Sequence, residues 1–432
     1  MACDAARQPY SRTFCLGLFG SLNLVAPSLP PSASSVFRVR SYARFWTARV
    51  FSSVSYQMFG VAVGWQIYAL THSTLALGMV GLVQFLPMLF LMLLVGHVAD
   101  RVSRKSILAV CQAIESITAA TLGIASLLHH LRPAGIFAGV AILGAARAFE
   151  APSTQALVPT LVDEDLIPQA IAWSSSANQT ASILGPALGG LLYIAGAQVP
   201  YLTCTALFLC ACALSTTIRP WRKTEAKSAT ARSIFSGIHY IRDHKNILGA
   251  ISLDLFAVLL GGATALLPAY TRDILHTGPW GLGLLRLSPA VGALSTSIWL
   301  AHRPIKNRAG IHMFTAVILF GLATVAFSLS RTLWLSMPIL MVLGSADVVS
   351  VVVRSSLVQL ETPNEMRGRV SAVNSLFIGT SNQLGEFESG LTASWFGLSP
   401  ATIIGGVGSI IVALVWMRLF PGLRKLDRLG RS

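Results

Sequence analysis

The chain has 432 residues, of which 53% are hydrophobic and only 11% charged, with 32 Lys and Arg against 17 Asp and Glu. A typical soluble domain is about one quarter charged, so this composition excludes a water-soluble enzyme or scaffold and indicates an integral membrane protein. The net charge of +15 does not signal nucleic acid either, because the basic residues sit in short loops between apolar runs and not on an aromatic-studded face.

Residues 1–43 read as a cytoplasmic leader without fixed structure. Arg7 and Arg12 before the apolar stretch 14–25 have the outline of a signal peptide. If that stretch crossed the bilayer, every later span would invert. Apolar windows long enough to cross then follow at about twelve places: 45–70, 76–98, 106–128, 134–157, 168–195, 198–218, 246–270, 281–301, 310–330, 332–358, 369–396 and 399–420. They make an all-α protein with an N-terminal bundle (44–218), a basic central loop (219–245), a C-terminal bundle (246–420) and a basic tail (421–432).

With the N-terminus inside, the inward loops hold Arg101, Arg104 and Lys105, then Arg219, Arg222, Lys223 and their neighbours, then Arg303, Lys306, Arg308, Arg367 and Arg369. The outward loops hold Arg132, Arg272 and Arg331. The positive-inside rule therefore expects both ends in the cytoplasm, the protein crossing the inner or plasma membrane many times. The six cysteines show no paired C-x-x-C or Cys/His spacing, and there is no Walker loop, G-x-S-x-G or H-E-x-x-H. No enzyme activity, cofactor or metal site is expected.

The two bundles are related in sequence. Aligning 144–191 with 344–391 at a constant offset of 200 pairs Gly144 with Gly344, Leu157 with Leu357, Ser175 with Ser375, Leu184-Gly185 with Leu384-Gly385 and Gly190-Leu191 with Gly390-Leu391. A gapless match that also reproduces the span boundaries points to duplication.

Between the second and third spans stands the run G-H-V-A-D-R-V-S-R-K, with Gly96, Asp100, Arg101, Arg104 and Lys105. Charge cannot lie in hydrocarbon, so this is a short hairpin at one membrane face. Its spacing resembles the signature loop of the major facilitator superfamily, a resemblance covering residues 36 to about 420. Three further stretches resemble the bacterial branch that includes the enterobactin exporter and macrolide efflux proteins: Arg44-Phe45-Trp46 through Gly64-Trp65-Gln66-Ile67-Tyr68, Arg147-Ala148-Phe149-Glu150-Ala151-Pro152, and Thr362-Pro363 through Arg367-Gly368-Arg369-Val370. Gly185, Pro186, Gly189 and Gly190 are similar to the end of the antiporter motif of drug:proton exchangers in that superfamily, and equally suit a plain helix-packing face. The resemblance implies two rocking six-helix bundles, a central cavity lined by spans 1, 4, 7 and 10, and export of a small organic molecule against proton entry. In that scheme the Gly96–Lys105 run is a conformational latch, with Asp100 near the start of span 11.

Charges within spans cost several kcal/mol unless paired or hydrated, so they are candidates for the substrate or proton pathway. Span 4 holds Arg147 and Glu150, span 7 Asp254, and span 10 Asp347 and Arg354, each pair on one helical face. Arg147 and Asp347 are equivalent in the repeat and suit a bridge across the pseudo-twofold axis that closes one state and breaks in the other; intrahelical pairs Arg147–Glu150 and Asp347–Arg354 suit the pattern equally. Glu115, Glu386 and Glu388 are further proton carriers by type. Arg49 and Arg286 read as residues near span ends that snorkel. Trp65, Tyr68, Phe85 and Tyr193 can stack on a planar substrate or simply pack. The expected partners are a small-molecule substrate, protons and membrane lipid, with the protein a monomer. Uptake or facilitated diffusion, and a receptor or assembly factor that kept the fold without transport, are the alternatives. No ring of charge suggests a channel filter.

Overall fold

The computed structural model describes residues 34–221, 231–303, 305 and 307–426. Long helices account for most of them: α1 (Arg40–Thr71), α2 (Thr74–Arg101), α3 (Arg104–Leu127), α4 (Pro133–Leu157), α5 (Ile167–Ile194) and α6 (Gln198–Thr216), then α7 (Lys245–Leu260), α8 (Pro279–His302), α9 (Ala309–Leu329), α10 (Leu333–Glu361), α11 (Asn364–Phe396) and α12 (Leu398–Leu419). Among the described residues, nine segments are long and apolar enough to cross a membrane by themselves. The exceptions are α1, α5 and α11, although their 32, 28 and 33 residues make each more than about 40 Å long. Ser, Gln, Asn and charged residues dilute their apolar character; some of them, such as Ser52, Ser174 and Ser381, are buried against other helices, and others, such as Ser175 and Asn178, are exposed. Large apolar side chains on the outside, such as Phe90, Ile117 and Trp334, are exposed as a lipid-facing surface requires.

Packing follows the sequence repeat. In the first half α3 packs on α6 and α4, α1 on α5 and α6, and α2 on α4; in the second, α9 packs on α12 and α10, α7 on α11 and α12, and α8 on α10. Each contact recurs six helices later. The halves meet through α2 against α11 and α5 against α8, which are likewise images of one another. The paired glycines found by sequence sit at equivalent crossings: Gly144 lies against the Gln84 backbone carbonyl of α2, and Gly344 against that of Pro289 in α8.

Three boundaries differ from the sequence expectation. The leader was expected to run to residue 43, yet α1 begins at Arg40, after a short helix Ser34–Phe37, and Val36 and Tyr42 are fully buried. Aromatic packing explains this. Phe37 meets Tyr42, Trp46 and Trp173 edge-on, while Tyr42 donates to the Ala170 carbonyl at 2.7 Å and Trp46 to that of Trp173 at 2.8 Å. The central loop contains a helix, Ala231–Asp243, whose Ile241 packs with Val370 and Val373 at the start of α11. Finally, α7 breaks at Gly261-Gly262 and continues as short irregular turns to Ile274. A Cβ on Gly262 would lie 2.5 Å from the Gly385 carbonyl oxygen, so the α7 backbone approaches α11 more closely than a side chain permits.

Candidate functional site: charges in the bundle interior

The halves close on each other at the end that carries the α1–α2 and α7–α8 connections. A Cβ on Gly190 of α5 would fall 2.7 Å from Gly283 Cα of α8, and one on Gly390 of α11 would fall 2.5 Å from Gly78 Cα of α2. These four glycines let backbones touch where larger residues would hold the halves apart. Val61 of α1 packs there with Leu266 and Leu267, and the Tyr68 hydroxyl donates to the Asp273 carboxylate across the same junction. The Gly185–Gly190 motif thus does two jobs. Gly185 and Gly189 seat α5 on α1 beside Gln57 and Met58, while Gly190 and the buried Pro186, whose carbonyl faces Gly283, seat α5 on α8 of the other half. At the opposite end Gly368, near the start of α11, has nothing within 4 Å of its Cβ position.

Inside the first half, α4 presents Arg147 and Glu150 on one face and α3 supplies Glu115. Arg147 Nε lies 3.1 Å from Glu115 Oε1, and Nη1 lies 2.8 Å from Glu150 Oε2. Its Nη2 donates to the Ser52 carbonyl at 3.1 Å, and its guanidinium carbon sits 4.1 Å from the centre of the Tyr56 ring. Glu150 Oε1 accepts from Ser52 Oγ at 2.8 Å and from Gln112 Nε2 at 3.1 Å, and Gln112 Oε1 accepts from Ser215 at 2.7 Å. Both carboxylates are buried, Glu115 at 0% and Glu150 at 4% exposure, so burial is compensated by this network. Arg49 of α1 lines, with Arg147 and Glu150, a cavity of about 590 Å³ counting space open to solvent, which the exposed residues Ala151, Gln155 and Asn178 also line. Its Nε is buried and has no hydrogen-bond partner among the described residues. The expectation that Arg49 snorkels from a span end does not hold: it lies nine residues inside α1, about 13 Å from the helix start.

In the second half Arg354 is 2% exposed and forms an ion pair with Asp254 of α7. Neither arrangement expected for Asp347 is present. Arg147 is engaged by Glu115 and Glu150 within its own half, so no bridge reaches Asp347 across the axis, and Arg354 turns to α7 and not along its own helix. Asp347 instead lines a small cavity with Asp254 and Ser350 and has no ion pair among the described residues. The repeat preserves helix positions while the two halves wire their charges differently. Glu388 donates nothing to the interior network and accepts from Thr392 at 2.8 Å.

Between the halves lies a cavity of about 720 Å³, counting space open to solvent, lined by Tyr56, Gln57 and Gly60 of α1, Gln84 of α2, Arg286 of α8, and Gln383 and Glu386 of α11. Gln84 donates to the Tyr56 hydroxyl. The sequence points to Glu386 but suggests that Arg286 snorkels; in the structure Arg286 faces this central cavity. Its position about two turns inside α8 is the signal that could have found it.

The predicted latch maps to the end of α2, a two-residue turn and the start of α3. Ser103 caps α3 by accepting from the Ser106 amide at 3.4 Å. Arg101 is exposed, and Arg104 and Lys105 are half-buried in the first turn of α3. The surroundings of Gly96 and of the Asp100 side chain lie outside the described residues. Among the residues described, no cluster of His, Cys, Asp and Glu suits a metal ion.

The model of the transmembrane secretion effector family matches residues 30–429. The enterobactin exporter EntS of Citrobacter koseri is 27% identical over 399 residues, covering 89% of this chain and 93% of that protein. The multidrug efflux pump Tap of Mycobacterium tuberculosis is 24% identical over 387 residues, covering 85% and 90% respectively. Among solved structures, a bacterial homologue of the lysosomal transporter Spinster superposes with a TM-score of 0.69 at 13% identity, over 90% of this chain and 96% of that one.

Proposed function

Because the chain belongs to the transmembrane secretion effector family, a branch of the major facilitator transporters, we propose that it exports a small organic molecule by alternating access, with protons moving inward. It is a multi-pass membrane transporter and not an enzyme. Export as the direction is supported by relatives that are named an enterobactin exporter and a multidrug efflux pump. The observation that carries the mechanism is the cavity between the halves, closed at one end by the Gly190–Gly283 and Gly78–Gly390 contacts. With both termini in the cytoplasm of the inner or plasma membrane, this conformation faces inward.

Transport then needs the closed end to part. The Tyr68–Asp273 hydrogen bond and the glycine contacts break, and the halves rock together at the other end, where the Gly96–Lys105 turn acts as the latch. Two carboxylates share Arg147, so one can take a proton while the other keeps the guanidinium paired. Protonation of Glu115 or Glu150 weakens the hold on Arg147 and couples proton occupancy to the position of α1 through Ser52 and Tyr56. The Asp254–Arg354 pair with neighbouring Asp347 offers a second such site.

The test is dye accumulation in cells with and without the protein, using anionic, cationic and neutral fluorescent dyes, with and without a proton uncoupler. Expression should lower the accumulation of at least one dye, and the uncoupler should restore it. Higher accumulation on expression would reverse the direction, and uncoupler-insensitive efflux would remove the proton.

A further inference from the structure

Among the described residues four arginines lie in the interior, Arg49, Arg147, Arg286 and Arg354, and of these Arg49 and Arg286 have no carboxylate at ion-pair distance. Arg147 and Arg354 each have a carboxylate at ion-pair distance. Arg286 faces the cavity between the halves and makes no hydrogen bond or ion pair among the described residues. Glu386 of α11 lines the same cavity and likewise has no ion pair among them. The first half makes room for both. A Cβ on Gly60 or Gly64 of α1 would lie 3.5 or 3.4 Å from the Arg286 guanidinium, and one on Gly81 of α2 would lie 2.7 Å from Glu386 Oε2.

The two charges are chemically unequal. A guanidinium remains protonated at any physiological pH, whereas a carboxyl group can bind a proton and become neutral. The pair therefore leaves the cavity either neutral or carrying one positive charge, and never negative. An uncompensated cation inside a membrane protein is costly, which favours an anionic guest. The remaining polar lining consists of Tyr56 and the amides of Gln57, Gln84 and Gln383, beside the apolar surfaces of Phe59 and Val140.

We propose that the central cavity takes an organic anion with an aromatic or apolar body, anchored through Arg286, and that Glu386 in its protonated form admits that anion. This rests on the reading of the chain as a small-molecule transporter, but not on the direction of transport. Fluorescein and rhodamine 123 are suitable probes, since they share a xanthene frame and carry opposite charge. Their binding to the full-length protein in lipid nanodiscs can be followed by fluorescence anisotropy, with no gradient or direction involved.

Wild type should bind fluorescein more tightly than rhodamine 123. Arg286→Gln should weaken fluorescein binding by about tenfold, the loss of one charge-assisted contact, while leaving rhodamine 123 binding unchanged or stronger. Glu386→Gln should strengthen fluorescein binding, a gain that misfolding cannot produce. The proposal is overturned if wild type binds no fluorescein, if it prefers rhodamine 123, if Arg286→Gln binds fluorescein as wild type does, or if Glu386→Gln weakens it. Failure of dye export in cells with nanodisc binding intact would count against the exporter reading and leave the anion site standing.

Discussion

Replacing Arg147 with Met is the perturbation that probes the interior network most directly. The guanidinium touches Glu115 at 3.1 Å, Glu150 at 2.8 Å and the Ser52 carbonyl at 3.1 Å. Methionine fills much of the same volume but leaves two carboxylates, 0% and 4% exposed, without their cation. Breaking a buried pair by removing one partner costs about 3–5 kcal/mol. That is roughly two to four decades in the folded-to-unfolded ratio. The converse change, Glu115→Gln, is milder: Arg147 keeps Glu150, Ser52 and the Tyr56 ring, and the loss should be about 1–3 kcal/mol. The assay is thermal unfolding of the purified protein in detergent, followed by tryptophan fluorescence, together with its abundance in membranes. Combining Arg147→Met with Glu115→Gln and Glu150→Gln removes the orphaned charges and should recover most of the stability without recovering proton-driven transport. If Arg147→Met unfolds at the wild-type temperature, the carboxylates do not depend on this arginine and the coupling scheme built on it is wrong.

The closed end supplies two further tests. Gly190→Leu places a side chain where Gly283 Cα would be 2.7 Å from the new Cβ, so the halves should be held apart there; thiol labelling of cysteines placed along that junction should rise and transport should fall. Tyr68→Phe removes only the bond to Asp273 and should raise the same labelling by a smaller amount, about the fewfold that a single hydrogen bond allows. In the second half, Asp254→Asn orphans Arg354, which is 2% exposed, and should lower abundance, whereas Asp347→Asn, which breaks no ion pair, should leave abundance intact; equal loss in both would show that Asp347 is structural as well. For topology, with the native cysteines removed, an impermeant thiol reagent in the medium should label His130→Cys and miss Pro220→Cys. The opposite result would invert the membrane orientation.

Composition and pattern alone determine that this chain crosses a membrane as helices in two related halves. Those properties are local: apolar length, loop charge and a repeat at an offset of 200 are written along the chain. The family was legible for the same reason, since the Gly96–Lys105 turn and the Gly185–Gly190 run are contiguous motifs. The intrahelical pair Arg147–Glu150 could also be read, because residues three apart share a face. What the sequence left open was partner choice between helices. Nothing local says that Arg354 turns to Asp254 and not to Asp347, or that Glu115 of α3 completes the Arg147 site. Those pairings depend on helix rotation and crossing, which glycine contacts such as Gly144 on α2 and Gly189 on α1 decide by letting particular faces approach. Arg49 and Arg286 were misread on the same account. A long basic side chain inside a helix is equally able to snorkel or to face a cavity, and only the neighbours that the fold places around it, Glu150 and Ser52 for Arg49 and Gly60, Gly64 and Glu386 for Arg286, determine which it does.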